Sequence, residues 1–215
     1  MRKFDKSFYS DSVKLIAGTD EAGRGPLAGP VVAAAVVFPP DTYIRGVRDS
    51  KQLTKEEREK FYPKIISKCL SYSVCAVSHG TIDKINILQA SLLAMTNCID
   101  RLLVKPDLIL IDGNKCFPYS IPTRAIIHGD DKSFAIAAAS IIAKVTRDRI
   151  MERLSVRYPM YLWDRNKGYA TRKHIAAIKE HGSCCLHRQT FLRKILSGEY
   201  EPEFEFEMEM VEPEE

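Results

Sequence analysis

The chain of 215 residues has one tryptophan, no Cys-x-x-Cys pair and no internal repeat. It also has no apolar run approaching the roughly 18 residues that a membrane-spanning helix needs. The opening Met1-Arg2-Lys3-Phe4-Asp5-Lys6 leads into no apolar signal core, so a soluble, cytoplasmic protein is expected. Six cysteines, at positions 69, 75, 98, 116, 184 and 185, lack the paired spacing of a zinc site or a disulfide framework. Buried, reduced thiols are the expectation instead. No Gly/Ser-rich linker divides the chain. Its 45% hydrophobic and 28% charged residues exclude a wholly disordered or collagen-like chain. One large domain accounts for the length.

Charge of one sign is missing from one place. Residues 199–215 hold nine Glu and neither Lys nor Arg, so the net charge of +4 conceals a body of +13 over residues 1–198. A body that basic suits a polyanion, because each neutralised phosphate releases condensed counterions. The tail alternates Glu with Phe204, Phe206, Met208 and Met210, and by itself is expected to be disordered. Its glutamates can also mimic a nucleic-acid backbone and compete for the basic body.

Apolar runs and helical patterns alternate along residues 1–198. Strands are predicted over Lys14–Thr19, Val31–Phe38, Ser71–Ser78, Asp107–Asp112 and, more briefly, Ala125–His128. Thr54 with Glu57 has capping-box spacing and starts a helix running toward Cys69. From Ile82, apolar residues recur at steps of three and four through Ile85, Leu88, Leu92, Met95, Ile99 and Leu102, the pattern of an amphipathic helix. Ser133–Leu154 reads as a long helix, rich enough in Ala and Ser for another backbone to pack closely on it. Thr171–Glu180 reads as a further helix ending near Gly182. This order predicts a mixed α/β sheet covered by helices.

Carboxylates stand where apolar segments stop. Asp20-Glu21 closes the first strand, Asp112 closes DLILID, and Asp130-Asp131 opens the Ala-rich helix. Anions at such places are costly unless cations neutralise them, and hard divalent ions take oxygen ligands. Several acids converging inside a basic protein suit two-metal phosphodiester hydrolysis. The same acids also fit ordinary strand ends and helix caps, and Asp131 fits a cap well. Gly23-Arg24-Gly25 allows close backbone approach to a ligand but equally describes a tight turn. No Walker or dinucleotide-binding motif is present.

The ordered wording is more specific than its parts. Thr19-Asp20-Glu21-Ala22-Gly23-Arg24-Gly25-Pro26-Leu27-Ala28-Gly29-Pro30, followed by Val31-Val32-Ala33-Ala34, closely resembles the opening motif of the bacterial type 2 ribonucleases H, the ribonuclease HII family. The resemblance continues through Asp49-Ser50-Lys51-Gln52-Leu53, Ile111-Asp112-Gly113 and Gly129-Asp130 with Ala137-Ala138-Ala139-Ser140-Ile141. Asn166-Lys167-Gly168-Tyr169 with His174, and His187-Arg188 with Phe191, complete it. It runs from about residue 12 to 197.

The resemblance implies a ribonuclease H-like mixed β-sheet flanked by helices, with a helical C-terminal part. It places the catalytic domain and its helical extension in residues 1–198 and leaves 199–215 as a tail. It implies that Asp20, Glu21, Asp112 and Asp130 form the catalytic metal site, Asp130 being preferred to Asp131 for its position after Gly129. It further implies that Gly23, Arg24 and Gly25 read the ribose 2′-OH, and that Tyr169 packs on the sugar beyond the scissile phosphate. It also implies that Lys51 and Lys144 stand near the phosphates and the carboxylates, with surface solvation as the alternative for Lys51. The implied activity is hydrolysis of RNA in RNA–DNA hybrids and cutting 5′ of ribonucleotides embedded in duplex DNA, with two Mg²⁺ or Mn²⁺ ions, leaving 3′-OH and 5′-phosphate ends. His174 and His187 are expected to be structural or phosphate-side, and the protein to act as a monomer. Alternatives are a non-catalytic hybrid binder, another metal-dependent nuclease on the same fold, and the related type 3 enzyme, which would carry an additional N-terminal domain.

Overall fold

A computed structural model describes residues 1–196, so the expectation of a disordered tail over 199–215 lies outside the described residues. The strands are β1 (Ile16–Ala22), β2 (Val31–Val37), β3 (Ser71–Val77), β4 (Leu108–Asp112) and β5 (Thr123–Ile126). The helices are α1 (Arg2–Lys6), α2 (Lys55–Lys68), α3 (His79–Asp100), α4 (Gly129–Lys132), α5 (Phe134–Arg157), α6 (Trp163–Asn166), α7 (Arg172–His181) and α8 (Gln189–Leu196).

The strands form one mixed sheet in the order β3-β2-β1-β4-β5. β1, β2 and β3 pair antiparallel, while β4 runs parallel to both β1 and β5. All seven residues of β2, Val-Val-Ala-Ala-Ala-Val-Val, are buried, as a strand covered on both faces requires. Successive side chains point to opposite faces. Ala33, Ala35 and Val37 accordingly meet the α3 side with Met95 and Ile99, whereas Ala34 and Val36 meet Ala138 and Ile142 of α5. The small residues of α5 let it press onto the sheet: a Cβ on Gly18 would fall 2.2 Å from the Ala135 carbonyl carbon. α1 supports the same helix, because Asp5 accepts the Ala135 N–H at 3.1 Å.

The helix start at Thr54 forms with both capping-box bonds, Glu57 N–H to Thr54 Oγ1 at 3.2 Å and Thr54 N–H to Glu57 Oε2 at 2.9 Å. Four expectations need correction. β1 does not stop before Asp20 but continues through Ala22, because Asp20 and Glu21 still pair with Ala34 and Ala33 of β2. The expected uninterrupted helix from Ile82 is kinked at Asn86, whose φ of 64° breaks it and whose Oδ1 caps Gln89 N–H at 3.1 Å. Leu102 lies past its end. β5 lies earlier than expected and ends in register with Asp112, after which His128 at φ 55° turns the chain back toward β4. Cys75 and Cys98 are buried, but Cys116 and Cys185 are exposed, so burial does not hold for every thiol; all six are free.

Beyond α5 the chain makes a separate small core around Trp163, with Leu27, Ala28, Met151, Tyr161 and Leu192. This helical C-terminal part, which includes the unanticipated α6 and α8, folds back onto the loop that joins β1 to β2. None of the described helices is long and apolar enough to cross a membrane.

Candidate active site

β1 and β4 run parallel and in register, Thr19 opposite Ile111, so the next residue of each brings Asp20 beside Asp112 at the carboxyl ends of the strands. Ligand sites in open α/β sheets form there. The turn after β5 supplies the third acid. Gly129 N–H donates to Asp112 Oδ1 at 2.7 Å, and a Cβ on Gly129 would sit 3.1 Å from that same oxygen. A glycine therefore lets α4 come close enough to bring in Asp130. Ligand oxygens of Asp20, Asp112 and Asp130 all lie within 4.8 Å of one another.

The cluster is electrostatically expensive. Asp20 is 6% and Asp130 5% exposed. Burial, then the neighbouring Glu21 and Asp112, push the Asp20 carboxyl well above the usual carboxylate range. Burial and the Asp130 charge raise Asp112, against the opposing Gly129 N–H. Glu21 is not one of the three converging acids. Its Oε1 accepts from Arg24 Nη1 at 3.2 Å, while its Oε2 is buried with no hydrogen-bond partner. Burial raises its pKa even though Arg24 counteracts. Asp131, the alternative to Asp130, is exposed and accepts from Gln52 Nε2 at 2.7 Å, so it faces away from the group. Buried, mutually repelling carboxyls with a partnerless oxygen are the donor set of a hard divalent cation.

Lys51 reaches the same place from the segment after Asp49. Its Nζ lies 3.4 Å from Asp130 Oδ2, and its side chain is 80% exposed, so it is both ion-paired and solvated. Lys144 is engaged elsewhere: its Nζ donates to Asp148 Oδ1 at 2.9 Å and stands 5.9 Å from the centre of the Tyr169 ring.

Gly23, Arg24 and Gly25 follow β1 directly, and their conformation is held by arginines. Arg188 donates to the carbonyls of Gly23 at 2.7 Å, Arg24 at 2.8 Å and Gly29 at 3.1 Å. Arg147 donates to those of Pro30 and Ala28. Both side chains are fully buried, and burial with the Arg147 charge brings Arg188 down to about 9. Gly23, at φ 97°, leaves no room for a Cβ, which would meet Arg147 Nε at 2.0 Å. Gly25 is open by contrast: its Cβ position is 3.8 Å from Tyr169 Cε1. Tyr169, 42% exposed, thus lies beside Gly25 with Arg147 5.7 Å from its ring centre. Gly25 also lines a groove of about 600 Å³, together with Ile82, Ile85 and Phe191.

His174 and His187 face each other in the small core, Nε2 to Nε2 at 3.2 Å, and neither approaches the acids. The sequence gives no sign of a role for Arg147, and Arg188 stands out there only as part of the His187-Arg188 motif. Arg147 carries no distinguishing signal, standing among Lys144, Asp148, Arg149 and Glu152 in the charged half of α5.

The family model described as Ribonuclease HII matches residues 17–194. A curated ribonuclease HII of Caldicellulosiruptor saccharolyticus is 47% identical over 90% of this chain and 95% of its own length. That of Endomicrobium trichonymphae is 50% identical over 87% of this chain and 90% of its own. Among solved structures, the ribonuclease H2 of Pyrococcus horikoshii OT3 superposes with a TM-score of 0.71 at 32% identity, covering 86% of this chain and 98% of that one.

Proposed function

The chain belongs to the ribonuclease HII family, and we propose that it cuts the strand 5′ of a ribonucleotide embedded in duplex DNA as well as within RNA–DNA hybrids. It is a ribonuclease H, an endonuclease acting on the RNA of such hybrids. The observation that carries the finer reading is the placement of the Asp20, Asp112 and Asp130 group beside a glycine loop on which a half-exposed tyrosine rests.

Asp20, Asp112 and Asp130, whose oxygens converge, would hold the metal, and Glu21, beside Asp20 with an Oε2 that has no hydrogen-bond partner, would complete an all-oxygen donor set. Two divalent ions bound there, Mg²⁺ or Mn²⁺, supply charge neutralisation, activation of the attacking water and stabilisation of the leaving 3′-oxygen. The protein's own groups select and orient the substrate. Arg188 turns the carbonyls of Gly23 and Arg24 inward, leaving the opposite side of the loop to meet a 2′-OH, the group that separates RNA from DNA. Tyr169 packs on the neighbouring deoxyribose and rejects an added hydroxyl by crowding. Lys51, solvated and near Asp130, reaches toward a substrate phosphate, while Lys144 and Arg147 back the Tyr169 ring. Neither His174 nor His187 serves as a base, since the two are buried against each other. The products carry 3′-OH and 5′-phosphate ends, and the protein works as a cytoplasmic monomer.

The test is a labelled DNA duplex with one ribonucleotide, incubated with Mg²⁺ or Mn²⁺, beside an all-DNA control and Asp112→Asn. Cleavage 5′ of the ribonucleotide, missing from the control and the variant, is expected. Cleavage only within long hybrids would remove the embedded-ribonucleotide reading, and no cleavage by folded protein with either ion would remove the catalytic one.

A further inference from the structure

A side chain remote from the acids fixes where Tyr169 stands. The segment before Tyr169 is the single turn of α6 flanked by tight turns, with positive φ at Leu162, Lys167 and Gly168. Among the bonds that tie it to its surroundings, two lie next to Tyr169. Leu27 N–H donates to the Gly168 carbonyl at 2.7 Å, tying the segment to the exit of the glycine loop. His174 Nδ1 lies 2.8 Å from the Tyr169 carbonyl oxygen, tying the tyrosine to the body of α7; Thr171 N–H, two residues along the chain, donates to the same oxygen at 2.8 Å. A carbonyl only accepts, so Nδ1 carries the proton and Nε2 is the acceptor.

That Nε2 accepts from Trp163 Nε1–H at 3.0 Å. It also faces His187 Nε2 at 3.2 Å. His187 Nδ1 accepts Cys184 N–H at 3.0 Å, so its own proton sits on Nε2 and points at His174. The arrangement is consistent only with both rings neutral, and it locks the His174 ring about both of its nitrogens. His187 pairs across to Ala28, and the next residue, Arg188, holds the carbonyls of Gly23 and Arg24. One hydrogen-bonded path therefore runs from the Tyr169 carbonyl through His174 and His187 to the loop that Tyr169 faces.

We propose that His174 is a specificity-positioning residue: its Nδ1–H holds the Tyr169 backbone, and so sets the gap between the Tyr169 ring and Gly25 at which a ribose followed by a deoxyribose fits. This rests on the reading that Tyr169 meets the sugar. Crowding discriminates only if the crowding group cannot yield. A ring on a turn released from His174 can move aside.

The two amide variants of His174 separate this role from simple packing. In His174→Asn the side-chain amide occupies the Nδ1 position and can still donate to the Tyr169 carbonyl. In His174→Gln it occupies the Nε2 position and cannot. Both are measured for kcat/KM on a duplex with one ribonucleotide and on a hybrid with an all-RNA strand. Metal-free Kd for the one-ribonucleotide duplex and the all-DNA duplex is read by fluorescence anisotropy in EDTA. Tyr169→Ala and Trp163→Phe accompany them.

We expect His174→Gln to change both ratios about tenfold toward indifference, the size of one lost buried hydrogen bond, and His174→Asn to stay within about threefold of wild type. Trp163→Phe removes one of the two donors to His174 Nε2 but leaves His187 Nε2–H and the Nδ1–H bond to Tyr169 in place, so it should lower Tm and keep the ratios within about threefold of wild type. Equal ratios in Asn and Gln variants, or ratios that merely follow Tm through all the variants, would overturn the proposal. Should Tyr169→Ala itself leave both ratios intact, the reading of Tyr169 fails and the role of His174 with it. Should Tyr169→Ala abolish them while His174→Gln does not, the positioning role alone is overturned.

Discussion

Arg188 donates to the carbonyl oxygen of Gly23 at 2.7 Å, across 165 positions of sequence. The same guanidinium takes the carbonyls of Arg24 and Gly29 and is fully buried. A buried cation whose polar contacts are backbone oxygens makes the loop conformation depend on a residue next to α8. Arg188→Met should leave those carbonyls unsatisfied and destabilise the fold by about 3–5 kcal/mol, the range for removing one partner of a buried charged group. Urea denaturation checks this. Arg188→Lys keeps the charge but not the fork and should fall between the two.

Gly23→Ala and Gly25→Ala should differ in kind. The first places a Cβ 2.0 Å from Arg147 Nε at a φ of 97°, and should lower Tm steeply. The second meets only Tyr169 Cε1 at 3.8 Å, ordinary contact. It should keep wild-type Tm and show its effect as a raised KM for the one-ribonucleotide duplex.

Asp112→Asn should abolish cleavage and stabilise the metal-free protein. The Asn oxygen can still accept Gly129 N–H, while one of the repelling charges is gone. A gain of about 1 kcal/mol would raise Tm by about 2–4 °C in a chain of this size. Mg²⁺ or Mn²⁺ should raise the wild-type Tm by mass action and leave that of the variant nearly unchanged. Calorimetry with and without EDTA reads both effects.

The histidine pair makes stability fall in mild acid. Burial first, then His174, hold His187 down at about 4, and burial lowers His174 too. The unfolded chain, with histidines near 6.5, binds more protons between those values. Their contribution is therefore fully present above about 6.5 and is lost as pH falls toward 4. The acid cluster works in the opposite sense: raised carboxyl pKa values cost stability as pH rises through the carboxylate range. Comparing wild type with His187→Asn isolates the histidine part. The difference in urea midpoint should shrink on going from pH 7 to pH 4.

Removing residues 199–215 takes the net charge from +4 to +13. If those glutamates compete for the basic body, the truncated protein should bind a one-ribonucleotide duplex more tightly at low salt, with the gain vanishing at high salt. Unchanged affinity at every salt concentration would remove the idea.

The sequence by itself located the strands and the long helices to within a few residues and picked out the acids that converge. Those are local matters: hydrophobic period, the cap at Thr54, and a motif whose wording survives as a string. Tertiary structure decided the rest. The family wording prefers Asp130 to its neighbour Asp131, but the physical reason is tertiary: the approach of Gly129 to Asp112 brings one inward and leaves the other to Gln52. Asn86 lies within a regular apolar period, yet the chain breaks there, because period reports the buried face and not the backbone angle. The linkage of Gly23 to Arg188 joins groups 165 positions apart. It satisfies a buried carbonyl, a need that arises only once the C-terminal part has folded back and excluded water from the loop.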